Sequence, residues 1–255
     1  MAKRSARLHH SEAATKVHPL FSKGEAARKD GAKRDAGWDP LEDERRDQSY
    51  VRKIKPRSRN QEQLLKAIAE HSLTLAIGPA GTGKTYLAIS AAVDALEAGK
   101  IERIVLSRPA IEAGENLGFL PGDMMEKMAP YLRPLYDCLT DRLGTKRMRH
   151  LMQEGEIEIA PVGFMRGRTL NNAFIVIDEA QNCTYAQMKM LLTRLGWHST
   201  MVVTGDPGQS DLLDGMSGLD QVAHRLAPLP GIAVVRLEEQ DIVRHPLVGT
   251  MIGVL

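Results

Sequence analysis

Eight residues constrain this chain more than any others. Gly78, Pro79, Ala80, Gly81, Thr82, Gly83, Lys84 and Thr85 fit the pattern G-x4-G-K-[ST] in full. They lie between a brief apolar run, Leu73 to Ile77, and a segment of helical composition, Thr85 to Ala98, that ends near Gly99. Strand, glycine loop and helix in that order is the setting in which this pattern binds phosphate. Gly81 and Gly83 let backbone N–H groups turn inward at the positive end of the following helix and so cradle phosphate oxygens. Lys84 is expected to reach the β- and γ-phosphates of a nucleotide, and Thr85 to place its hydroxyl on Mg²⁺.

From Asn60 onward the chain alternates. Gln61 to Glu70 has apolar residues at Leu64, Leu65, Ala67, Ile68 and Ala69, an amphipathic helix. Besides Leu73 to Ile77, strands are predicted at Ile104 to Ser107, Ile157 to Ala160, Phe174 to Asp178, Met201 to Thr204 and Ile232 to Arg236. Helix-length segments such as Ala186 to Leu195 and Leu219 to Leu226 separate them, while Pro121, Pro130 and Pro134 are expected to break 113–151 into helical pieces. Such alternation implies an α/β fold, one doubly wound, mainly parallel sheet with helices on both faces. In that architecture ligands bind at the carboxyl ends of the strands.

A second chemical signal stands at 174–179. Four apolar residues from Phe174 to Ile177 make a buried strand, and Asp178 emerges at its carboxyl end, where it is expected to hold Mg²⁺ through water. Glu179 follows, placed to orient or deprotonate a water that attacks the γ-phosphate, which favours hydrolysis over transfer to a small-molecule hydroxyl. The N-K-x-D sequence that reads guanine is absent, so ATP is the expected nucleotide.

Composition adds an asymmetry. Residues 1–59 carry 16 basic and 9 acidic side chains, a surplus of seven positive charges, whereas the chain as a whole is only +2. This leader is poor in apolar residues and interrupted by Gly24, Gly31, Gly37, Pro40 and Pro56, so we expect it to be a largely mobile basic tail ahead of one domain at 60–255. Its densest cluster, Arg52, Lys53, Lys55, Arg57 and Arg59, suits either a phosphate-contacting arm or a solvated leader. No apolar run approaches a membrane span or a signal peptide, which reads as cytoplasmic with no membrane partner. Cys138 and Cys183 are too few for a disulfide framework or a four-ligand zinc site and read as buried thiols.

The order of several further segments resembles that of PhoH-like proteins: Gln61, the loop at 78–85, Ser107 to Pro109, Leu117 to Gly122, Met165 to Thr169, Asp178 to Asn182, Thr204 to Gln209 and Val243 to Pro246. The resemblance runs from about residue 60 to the end and implies a P-loop ATPase with the RecA-like core of superfamily 1 helicases. By that resemblance Gln61 reads the adenine edge, Gln209 senses the γ-phosphate with Asp206 in support, Arg244 contacts the γ-phosphate, and Arg108 holds the phosphate of a single strand. Phe119 and Tyr131 are weaker candidates for stacking on bases, and His245 reads as structural. Nothing in 1–59 has the G-x-x-G loop of a KH module or a carboxylate cluster suited to a nuclease, domains that larger relatives carry.

About 195 residues suffice for one RecA-like domain where superfamily 1 enzymes use two. The resemblance therefore implies a ring, expected to be a hexamer, in which a neighbouring subunit completes each site. Arg166 and Arg168 flank Gly167 in a loop between strands, without a local acidic partner in sequence, and are candidates for a finger acting in trans. The expected activity is Mg²⁺-dependent ATP hydrolysis driving, or gated by, single-stranded RNA or DNA. The alternative is an ATP-dependent oligomeric adaptor that recruits a protein partner and hydrolyses slowly.

Overall fold

The structure is a computed structural model that describes residues 54–109, 124–213 and 215–243. The expectations for most of the basic tail, for Phe119 and for Arg244 and His245 concern residues outside that range.

Six strands form one sheet among the described residues: β1 (Leu73–Ile77), β2 (Arg103–Arg108), β3 (Ile157–Pro161), β4 (Ala173–Ile177), β5 (Thr200–Gly205) and β6 (Ile232–Arg236). Their spatial order is β3-β2-β4-β5-β1-β6, and every neighbouring pair is parallel. The helices are α1 (Arg59–Glu70), α2 (Lys84–Glu97), α3 (Met124–Leu143), α4 (Thr145–Gln153), α5 (Tyr185–Leu192) and α6 (Leu219–Leu226). This is the doubly wound P-loop NTPase sheet that the alternation implies. Among the described residues no helix is long and apolar enough to cross a membrane.

Burial follows the strand period of two. Ala76, Ile104, Leu106, Phe174, Val176 and Val202 face a core shared with α1, α2, α3 and α4. Their neighbours Leu75, Ile77, Val105, Ile175, Ile177, Met201 and Val203 face the opposite core beneath α5 and α6. A strand covered on both sides has no polar face, which is why β4 is apolar throughout, β1 departs from that only at Thr74, and both are wholly buried. Each buried Ile or Val contributes about 1.5–3 kcal/mol, so β4 is fixed in register, and with it the point at which Asp178 leaves the sheet.

The expectation for 113–151 is corrected by α3. Pro130 and Pro134 lie inside one 20-residue helix. They are four residues apart and both exposed, so they share one face of the helix. Met128, Leu132, Leu135, Tyr136 and Leu139 bury the opposite stripe, and that packing outweighs the local cost.

Candidate active site

The phosphate loop joins β1 to α2. Gly81 and Gly83 have φ of +84° and +83°, a region that L side chains rarely enter, and Gly83 precedes the first turn of α2 with no side chain capping its N–H groups. Those donors are therefore available to an anion. Lys84 is buried, and its Nζ donates to the carbonyls of Gly78 at 2.6 Å and Pro79 at 2.7 Å. Burial pushes its pKa below the ordinary lysine value, against the opposing pull of Asp206, Glu179 and Asp178. Thr82 closes the loop by donating to the Pro79 carbonyl at 2.8 Å.

Three segments hold this loop from outside. Gln61, buried at the start of α1, donates from Nε2 to the Thr82 carbonyl at 3.0 Å and accepts the Arg57 N–H at 2.7 Å. Asp206, after β5, accepts the Ala80 N–H at 3.0 Å and the Gly208 N–H at 3.0 Å. The chain beyond β6 crosses the loop as a strap: Leu237 donates to the Ile77 carbonyl at 2.8 Å and Val243 to the Gly81 carbonyl at 3.0 Å. A Cβ on Gly78 would run into the Leu237 carbonyl, so glycine is required there by contact. Asp241 latches the strap to α1, accepting from Asn60 at 2.8 Å and from the Glu238 N–H at 2.7 Å. Burial raises the pKa of its carboxyl, but the bonds from Ser58, Glu238 and Asn60 outweigh that and hold it below the usual aspartate value.

Asp178 stands where β4 ends, its N–H bonded to the Ser107 carbonyl at 2.8 Å. One carboxylate oxygen accepts from the Thr85 hydroxyl at 2.6 Å and from the Thr204 hydroxyl at 2.7 Å. The other lies 3.5 Å from the Arg108 guanidinium, which also lies 3.5 Å from a Glu179 oxygen. Glu179 has φ of +52°, a left-handed conformation that costs a residue with a Cβ about 1–2 kcal/mol. Gln181 donates to its second oxygen, accepts the Asp206 N–H at 3.1 Å, and approaches the Gln209 carbonyl at 3.4 Å.

These groups line one cavity of about 360 Å³, together with Tyr86 of α2 and Pro134 and Cys138 of α3. It contains Ala80, Gly81, Gly83, Lys84, Thr85, Arg108, Asp178, Glu179, Asp206 and Gln209. Burial pushes the thiols of Cys138 and Cys183 up to about 12, so neither is a thiolate at neutral pH. Among the described residues no three His, Cys, Asp or Glu side chains gather as a metal centre. The donors that do meet here, a hydroxyl and a single carboxylate, are the hard oxygen ligands that suit Mg²⁺ completed by phosphate and water.

The sequence-predicted residues thus divide. Lys84, Thr85, Asp178, Glu179 and Gln209 share the cavity, and Gln61 touches the back of the loop. Arg108, the strand-binding candidate, lines the cavity and pairs with Asp178 and Glu179. Arg166 and Arg168 are at the far edge of the sheet, after β3, and do not line the cavity. Arg168, which has no acidic partner local to it in sequence, finds one farther back in the chain. The loop reverses at Gly167, with φ of +76°, and returns Arg168 over β3, where it grips Glu158 through two bonds of 2.6 Å. Hydrogen bonding to Glu158 raises the Arg168 pKa further. Arg166 is exposed. Gln181 and Thr204 had no role assigned from sequence although both lie in segments that carry the resemblance, and nothing in the sequence signalled Pro134 or Cys138.

The family model described as PhoH-like protein matches residues 53–255. A PhoH-like protein of Bacillus subtilis (strain 168) is 54% identical over 200 residues, 78% of this chain and 63% of that protein. Protein PhoH of Escherichia coli (strain K12) is 47% identical over 195 residues, 74% of this chain and 55% of that protein. The chain spans less than two thirds of the length of these relatives. Among solved structures, the Sulfolobus solfataricus SWI2/SNF2 ATPase core in complex with dsDNA superposes with a TM-score of 0.45 at 15% identity, covering 74% of this chain and 46% of that one.

Proposed function

We propose that this chain, which belongs to the PhoH-like protein family, is a Mg²⁺-dependent ATPase that acts as an oligomeric ring on single-stranded RNA or DNA. The observation that carries the reading is the 2.6 Å bond between Thr85 and Asp178 in a cavity shared with Lys84 and Glu179. A loop hydroxyl and a strand-end carboxylate that meet are placed to hold a hard cation, with a lysine for the phosphates on one side and a second carboxylate for water on the other.

In this reading the amide groups of Gly81, Gly83 and Lys84 receive the phosphate oxygens, and the Lys84 ammonium leaves the Gly78 and Pro79 carbonyls for the β- and γ-phosphates. Thr85 and Asp178 would hold Mg²⁺, which when bound would offset the charge of the phosphates. Glu179 orients the attacking water and takes its proton. Gln209 senses the γ-phosphate, and Asp206 couples its loop to Ala80. The Gln61 amide keeps one N–H and one lone pair beyond its present bonds, enough for a bidentate contact with adenine. By the family resemblance, Arg244 supplies the cation for the γ-phosphate in this reading.

In this reading the ring is what the family resemblance implies. In this reading Arg166, exposed and outside its own cavity's lining, completes a neighbour's site, whereas Arg168 is paired with Glu158. Phosphate release measured with Mg²⁺ and with EDTA, with and without single-stranded RNA or DNA at low salt, together with native mass, tests the reading. Mg²⁺-dependent turnover by a ring, raised by one polymer, is the expected result, and absence of turnover overturns it. A slow adaptor is the second reading, favoured by the engagement of both Glu179 oxygens. It gains support if polymer leaves turnover unchanged at low salt, where phosphate contacts are strongest.

A further inference from the structure

We propose that Arg108 is a positioning residue that restrains Glu179, so that turnover is limited by the hold of the β2 end on this carboxylate. The inference rests on the reading of Glu179 as the group that activates water. The sheet itself brings the two together. Ser107 of β2 lies opposite Ile177 of β4 in parallel register, and the Asp178 N–H bonds to the Ser107 carbonyl. Arg108 and the Asp178–Glu179 pair therefore leave the sheet side by side, and the planar guanidinium spans both carboxylates, one nitrogen to each at 3.5 Å.

Glu179 is held from two sides, and the two holds differ in kind. Gln181 is 2% exposed and is keyed to the loop after β5 through the Asp206 N–H and the Gln209 carbonyl. Gly205 leaves space for this amide, since a Cβ there would lie 2.9 Å from its side-chain oxygen. Gln181 is a fixed support. The Arg108 side chain keeps 20% of its surface exposed, and both of its contacts are at the outer limit of hydrogen-bond length. It is the partner that can leave. While it stays, the Glu179 oxygen is directed at a guanidinium instead of at the attacking water, and a general base acts only through the proton it can reach. Arg108 also touches Asp178, so one side chain bears on the two adjoining carboxylates at the end of β4.

The test compares steady-state ATP hydrolysis by wild type, Arg108→Gln, Glu179→Gln and the double variant, with thermal melts and titration by a fluorescent ATP analogue for each. Arg108→Gln is expected to raise kcat roughly three- to tenfold with KM for ATP little changed. The double variant is expected to fall to the level of Glu179→Gln, which shows that the gain passes through the glutamate. A lower kcat in Arg108→Gln overturns the proposal and makes Arg108 a stabiliser of phosphate charge; an unchanged kcat also overturns it. Should Arg108→Gln lose its cooperative melt, Arg108→Lys keeps the charge without the fork, and it too must exceed wild type. Turnover by wild type that does not depend on Glu179 overturns the underlying reading, a result distinct from failure of the restraint alone.

Discussion

At the scale of single residues the site is a set of groups that each serve two masters. Lys84 is the sharpest case: a buried ammonium whose burial lowers its pKa and whose present partners are two carbonyls of its own loop. Between that lowered value and 10.5 the unfolded chain binds the additional proton, so the contribution of Lys84 to stability rises with pH across this window and the cost of its burial is greatest below it. Urea midpoints at neutral pH and near pH 9.5 should show this trend in wild type and lose its Lys84 component in Lys84→Met. The same variant should abolish the thermal shift that Mg²⁺ and ATP give to wild type. A retained shift would mean that the loop does not hold phosphate through this lysine. Lys84, Thr85, Asp178 and Glu179 were legible in the sequence because their spacing is local to one loop or one strand end. The pairs Arg108 with Asp178 and Glu179, and Arg168 with Glu158, were not, because they depend on which strands become neighbours and on a chain reversal at Gly167.

At the scale of elements, glycine is demanded by contact at one position and by conformation at another. Gly78 abuts the Leu237 carbonyl, so Gly78→Ala must push the strap off the loop and should lower stability by about 2 kcal/mol or more. Gly99 has φ of +65° and open space around it, so Gly99→Ala should cost only about 1–2 kcal/mol of conformational strain. Denaturant midpoints of the two variants check the contrast, and equal losses would mean that the strap does not bear on the loop. Strands were read from sequence to within a residue or two, since each is a short apolar or β-branched run in a chain that alternates with helix-length segments. Helix α3 was misread because local rules treat each proline as a break. Here Pro130 and Pro134 share one exposed stripe while five large side chains hold the other face in the core. Tertiary packing, which no local window contains, decided that element.

At the scale of the molecule, one sheet carries the candidate site, with Lys84, Asp178 and Glu179 at the carboxyl ends of the inner strands and Arg166 beyond an outer one. If rings form and Arg166 serves the neighbouring site, Arg166→Ala should reduce turnover at least about tenfold while native mass, melting temperature and ATP affinity stay as in wild type. Unchanged turnover would remove Arg166 from the proposal. Every part of the functional account, however, depends on Glu179 acting on water once ATP is held by the loop. The most direct test is a single-turnover measurement of ATP hydrolysis in Glu179→Gln alongside titration with the fluorescent ATP analogue. The account predicts ATP binding as tight as in wild type with hydrolysis slowed by about a hundredfold or more. Hydrolysis at the wild-type rate in a variant that binds ATP normally would contradict it.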